Sequence, residues 1–243
     1  MSALLEADGL TKRFGGVTAV DACSFGVPEG TITALVGPNG SGKTTVFNLL
    51  TGYIRPDGGA MRFDGKRIAR PSPTGLYRQG LTRTFQQARI FPELTLVENL
   101  AAAMRRPWWG SLDRGIRPAE RDRALALLHD FRLGDYADQR AGMLSYGQRK
   151  LLEFATVLTR EPRLVLLDEP TAGVNPVLVE QIEERIRDLH SKGITFLVVE
   201  HNMNLVMRLC DPVIVLDHGT KLAEGSPDAV RADPKVLEAY LGG

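Results

Sequence analysis

Three clusters in this 243-residue sequence have the residue types and spacing for phosphate chemistry. The first is GPNGSGKTT, where Gly37, Pro38, Asn39, Gly40, Ser41, Gly42, Lys43, Thr44 and Thr45 satisfy G-x-x-x-x-G-K-[ST]. It follows the apolar run ITALV and leads into KTTVFNLLTGYI, so it reads as a loop between a strand and a helix, the context that gives the pattern physical meaning. Gly37, Gly40 and Gly42 let the backbone curl until its N–H groups point at phosphate oxygens, and the helix start adds partial positive charge. Lys43 then reaches the β and γ phosphates of a nucleotide, and the Thr44 hydroxyl is placed to ligate Mg²⁺.

The second cluster is RLVLLDEP, in which Leu164 to Leu167 run into Asp168 and Glu169. Carboxylates at the C-terminal end of a buried strand open into the crevice where α/β proteins bind ligands. Asp168 is the candidate to hold Mg²⁺, directly or through water, and Glu169 to polarise the water that attacks the γ phosphate. A single acid there would more simply be strand-end solvation; a pair, in a chain that already carries a phosphate loop, argues for chemistry. The third cluster is MLSYGQRKLLEF, where Ser145 caps a helix with apolar residues at Leu151, Leu152, Phe154, Ala155 and Leu158. Its donor-rich start has no partner in its own neighbourhood of the sequence.

The elements that must carry these clusters form an α/β pattern. SFGVPEG and TITALVG suggest short strands, and GAMRFDGKRI, with its alternation and glycines, suggests a hairpin in a small antiparallel layer. RLVLLDEP, ITFLVVEH and PVIVLDHG are apolar runs separated by helical stretches, which is the alternation of a buried parallel sheet. Residues 88–159 show helical periodicity instead, so they are expected as a helical subdomain inserted into a core of residues 1–87 and 160–243. Lys+Arg 30 against Asp+Glu 29 gives no support to a nucleic-acid partner. The start MSALLEADGL lacks a signal-peptide pattern, and no run approaches the roughly 18 apolar residues of a membrane span, so residence in the cytoplasm is expected. Cys23 and Cys210, far apart and outside any metal-ligand spacing, read as small core residues.

With GPNGSGKTT, LSYGQ, LLDEP and VVEH in this order, the chain resembles the ATP-binding subunits of ABC transporters over nearly its whole length. The resemblance implies a P-loop NTPase core, RecA-like with a mainly parallel sheet, a small antiparallel β layer and an inserted helical subdomain, binding ATP and Mg²⁺. It also implies roles that spacing does not give. Phe14 in TKRFGG matches the aromatic that stacks on adenine, and Gln86 in RTFQQ matches the glutamine that meets Mg²⁺ and the attacking water. His201 in VVEHN matches the histidine that contacts the γ phosphate and the catalytic glutamate; His129, His190 and His218 are given no chemistry. Ser145, Gly147 and Gln148 match the signature that closes, in trans, on ATP held by a second ATPase subunit, either another copy or a paralogue. Two positions depart from the common pattern. Tyr146 replaces the first signature glycine, but any non-proline residue still offers its N–H; Asn175 stands for a usual aspartate and carries no charge.

FGG, RTFQ, LSYGQ, AGVNP, VEHNM and the terminal AYLGG resemble the ATPases of importers for branched-chain amino acids and their relatives for urea or short amides. Lipopolysaccharide-export ATPases are the nearest alternative. Non-transport ABC proteins are disfavoured by the absence of a coiled-coil insertion or second cassette, and GTPases by the absence of N/TKxD. The resemblance implies transmembrane permease subunits, an indirectly engaged solute-binding protein, and a peripheral place on the inner face of the membrane. The expected permease groove lies beside Gln86, at Arg89, Phe91 and Pro92. RRPWWGSLDRGIRP, with Trp108 and Trp109, reads as a solvated loop over the helical lobe.

Overall fold

The computed structural model describes residues 3–84, 90–104 and 115–241. In chain order the elements are β1 (Ala3–Phe14), β2 (Val17–Pro28), β3 (Ile32–Val36), α1 (Lys43–Leu50), β4 (Gly58–Phe63), β5 (Lys66–Arg67), α2 (Pro73–Arg78) and β6 (Leu81–Arg83). Next come the helices α3 (Leu96–Met104), α4 (Pro118–Asp130) and α5 (Tyr146–Val157). The chain continues through β7 (Leu164–Asp168), α6 (Pro176–Ser191), β8 (Thr195–Val199), α7 (Met203–Leu209), β9 (Val213–Asp217), β10 (Thr220–Gly225), α8 (Pro227–Ala232) and α9 (Pro234–Leu241).

These elements fall into two compact units. The first comprises residues 1–83, 163–170 and 186–243, and the second residues 84–162 and 171–185.

In the first unit, the apolar runs ITALV, LVLLD and TFLVV are buried at every position, as strands covered on both faces must be. They pair in parallel inside a six-stranded sheet of order β10-β9-β3-β8-β7-β6, with only β10 antiparallel, at the edge. The strands β3, β8, β7 and β6 therefore end side by side, and the residues just beyond their C-terminal ends are brought to one edge of the sheet. A second sheet, β2-β1-β4-β5, is antiparallel. Its β4–β5 hairpin turns through Asp64 and Gly65, both at positive φ (53° and 69°), the conformation a two-residue hairpin needs to follow the strand twist. Phe47, Leu49 and Leu50 of α1, with Leu5, Leu10, Phe63, Leu166 and Leu216, form the core between the layers.

Cys23 and Cys210 are buried in this unit, as free thiols. Burial pushes the Cys23 thiol from 9.0 up to about 11, so no reactive thiolate forms at neutral pH. Titration of the native chain with a thiol reagent at pH 8 is expected to label neither cysteine within minutes, and to label both after denaturation. Fast native labelling would contradict the core assignment.

The second unit is helical. Leu96, Val97, Leu100 and Ala101 of α3, Ala124 and Leu128 of α4, and Leu151, Leu152 and Ala155 of α5 supply its buried residues. Phe131 and Phe154 meet edge to face, their centroids 5.3 Å apart.

Candidate nucleotide site

The loop after β3 is bent by glycines that no other residue would replace without a shift. Gly37 sits at φ 152°, where a Cβ would lie 2.2 Å from the Leu216 carbonyl oxygen, and Gly42 at φ 99°, where a Cβ would lie 2.6 Å from the Ala19 carbonyl oxygen. Gly42 caps α1, and its carbonyl accepts the first helical bond from the Val46 N–H at 2.9 Å. Lys43 opens the helix and turns its Nζ back over the loop, donating to the carbonyls of Gly37 and Pro38 at 2.8 Å each and to Ser41 Oγ at 3.4 Å. Burial lowers the pKa of this ammonium, and the negative charge of Glu169 works against that lowering.

A cavity of about 450 Å³ opens beside the loop, lined by Asn39, Gly40, Gly42, Lys43, Thr44 and Thr45. Glu169 and His201 line it from the ends of β7 and β8. His201 Nε2 lies 3.0 Å from Glu169 Oε1, so the two side chains form one hydrogen-bonded pair facing the loop. Each is fixed by its backbone. Glu169 adopts φ 47°, rare for a residue with a side chain, and its N–H is tied to the Val199 carbonyl at 2.9 Å. The buried Glu200 carboxylate accepts from the N–H groups of His201 (3.0 Å) and Asn202 (3.2 Å), while Asn202 caps α7. Asp168 ends β7 and is buried.

Phe14 ends β1 opposite Val17, half exposed, with Lys12 Nζ 5.5 Å from its ring centroid. Val17, Thr18 and Ala19 line the cavity; Phe14 is not among the lining residues. Asp57 clamps the strand that carries Phe14, accepting from the Arg13 N–H at 2.8 Å and from Lys12 Nζ at 2.9 Å. Those bonds, the backbone one foremost, lower the pKa of Asp57.

The signature start lies in the second unit. Ser145 Oγ accepts from the Gln148 N–H at 3.3 Å, and Gln148 Oε1 accepts from the Ser145 N–H at 2.9 Å, a reciprocal cap. The N–H groups of Tyr146 and Gly147 are left without an intrahelical partner, as in the first turn of any helix. Gly147 stands where a Cβ would come 2.4 Å from Leu178 Cδ2. Tyr146 has a side-chain role the sequence did not suggest: its hydroxyl donates to the Ala172 carbonyl at 3.3 Å, and a Cβ on Gly173 would rest 3.5 Å from its ring. It thereby packs the signature against the loop of Asn175.

Sequence reasoning gave no chemistry to His218, which lines the same cavity. It gave no role to Glu200 or Tyr240 either. The Tyr240 hydroxyl oxygen accepts from the Gly37 N–H, while burial holds its pKa up. Gln86, Arg89, Trp108 and Trp109 lie outside the described residues; Phe91 is described and exposed.

Comparison with known proteins fits this geometry. Residues 20–172, more than half the chain, match the ABC transporter family model. The chain belongs to the ABC transporter ATP-binding family. Residues 220–243 also match the family model of the branched-chain amino acid ATP-binding cassette transporter. The chain is 41% identical to the high-affinity branched-chain amino acid transport ATP-binding protein BraF of Pseudomonas aeruginosa, over 98% of each. Among solved structures it is similar to the ADP conformation of an ATP-binding cassette of an ABC transporter, with TM-score 0.90 and 35% identity over 100% of both chains. A dimeric post-hydrolysis ATP-binding cassette bound to ADP and Pi is also similar, with TM-score 0.80 and 25% identity over 92% of this chain and 98% of that one. This ABC cassette therefore has the parallel P-loop core, the antiparallel layer and the helices of its family.

Proposed function

We propose that this cassette hydrolyses ATP to power an importer of branched-chain amino acids. The convergence of the Lys43 loop, Glu169 and His201 on one cavity carries the hydrolytic part, and the match at residues 220–243 supports the solute class. Loop N–H groups and Lys43 bind the phosphates, and Phe14 stacks on the base. Glu169 takes the proton of the attacking water, held in place by His201 at 3.0 Å, with Gln86 assigned to the same water.

The donor set fits Mg²⁺. Among the described residues no three His, Cys, Asp or Glu gather as a protein-only metal cage. What is present is the Thr44 hydroxyl and the buried Asp168 carboxylate, oxygen donors suited to an ion that keeps phosphate and water ligands. When bound, Mg²⁺ neutralises charge on the phosphates.

The start of α5 at Ser145, Gly147 and Gln148 acts in trans on the nucleotide of a second cassette, its partial positive charge facing the γ phosphate. Among the described residues no helix is long and apolar enough to cross a membrane, so transport requires permease subunits. Phe91, 60% exposed, and Pro92, also exposed, are the described part of the docking surface assigned to them.

The test is reconstitution of the cassette in vesicles with its co-purifying permease and binding protein. Leucine, isoleucine or valine in the lumen with the binding protein is expected to stimulate ATP hydrolysis and move outward to the cassette side. Basal hydrolysis that ignores all three amino acids would overturn the solute assignment and leave the hydrolytic one standing.

A further inference from the structure

In the first unit, a nearly buried arginine with several side-chain partners has no role in either the motifs or the mechanism. Arg83 ends β6, beside β7 in parallel register, and its side chain is 10% exposed. Its Nη2 donates to Asp168 Oδ2 at 2.8 Å, and the Asp168 side chain is 8% exposed. Its Nη1 donates to Asn48 Oδ1 at 2.6 Å and to Thr51 Oγ1 at 3.0 Å. The guanidinium also lies over two rings, 5.5 Å from the Phe47 centroid and 5.3 Å from that of Tyr53.

Asn48 and Thr51 come after Thr44 by four and then three residues, the spacing that keeps side chains on one helical face. One planar fork thus spans from the face of α1 that carries Thr44 to the carboxylate that ends β7. These are the two oxygen donors assigned to Mg²⁺. Stability alone is a poor reason for such a pair, because a buried ion pair is often no more stabilising than well-packed apolar residues in its place. A fork in a fixed plane does, however, set the orientation of a carboxylate, which a flexible lysine cannot do.

We propose that Arg83 is a positioning residue for the metal-bearing carboxylate: it holds Asp168 by one oxygen and fixes it at a set distance from the Thr44 face of α1. This rests on the reading of Asp168 as the Mg²⁺ ligand. Arg83 lies three residues before Gln86, so the strand end that orients Asp168 also leads into the segment assigned to the attacking water.

The test measures binding of a non-hydrolysable ATP analogue to the full chain, in EDTA and in excess Mg²⁺. The readout is the factor by which Mg²⁺ tightens binding. Arg83→Met is expected to reduce that factor by about tenfold or to abolish it, as losing a group that orients a metal ligand does, and Arg83→Lys to restore it only in part. Affinity in EDTA should stay near that of the unsubstituted chain in both. A folded Arg83→Met that keeps the full Mg²⁺ effect, or that loses equal affinity with and without Mg²⁺, overturns the proposal. If Met prevents folding, Arg83→Lys decides by the same factor, and full retention of the effect overturns the proposal. Asp168→Asn separates the two claims: if it too keeps the full effect, the reading of Asp168 as metal ligand fails, whereas loss in Asp168→Asn with retention in the Arg83 variants removes the Arg83 proposal alone.

Discussion

Glu169→Gln is expected to hydrolyse ATP about 10²–10⁴-fold more slowly than the unsubstituted chain and to bind it about as tightly. The substitution preserves shape and can keep the 3.0 Å hydrogen bond with His201, but an amide does not take a proton from water. The loss therefore falls on kcat with KM nearly unchanged, the pattern of a contribution made in the transition state. Steady-state phosphate release over a range of ATP concentrations checks it. A variant that keeps more than a tenth of the activity would remove Glu169 from the role of base.

Lys43→Ala is expected to weaken ATP binding about 100-fold, about 2.8 kcal/mol. Lys43 is 6% exposed and its Nζ donates to two loop carbonyls, so its charge is held where phosphate oxygens replace those acceptors at little cost in side-chain freedom. Its removal takes away a charge-assisted donor and leaves the Gly37 and Pro38 carbonyls without it. Lys43→Arg should not rescue binding, because a planar fork does not fit a loop shaped around a compact ammonium. Titration calorimetry with ATP reads the effect, and an affinity within threefold of the parent would contradict it.

These two side chains were legible in the sequence because each belongs to a local pattern. The glycines around Lys43 and the apolar run before Glu169 carry their context with them, and the elements they imply, β3 then α1 and β7 after a helical stretch, are the ones found. Other features depend on distant partners. β1 and β2 are each twelve residues long, but register shifts interrupt their pairing and break the alternation that would have announced two long strands. β10 (TKLAEG) is a polar edge strand with no buried position, so it carries no apolar signal. Arg83 meets Asp168 across 85 residues of chain, and nothing near it in sequence says that its charge is buried. Glu200 is legible only as an acid beside a histidine, yet its role is to hold two backbone N–H groups. Tyr146 first reads as an absent glycine, whereas its ring and hydroxyl reach Gly173 and Ala172.

On the proposed function, this cassette completes its nucleotide site with the α5 start of a second cassette. Sedimentation of Glu169→Gln with Mg²⁺ and ATP decides this, since the slowed variant keeps its nucleotide. The expected result is a species of about twice 26.6 kDa that retains one ATP per chain and reverts to monomer when nucleotide is removed. A chain that stays monomeric with ATP bound would contradict it.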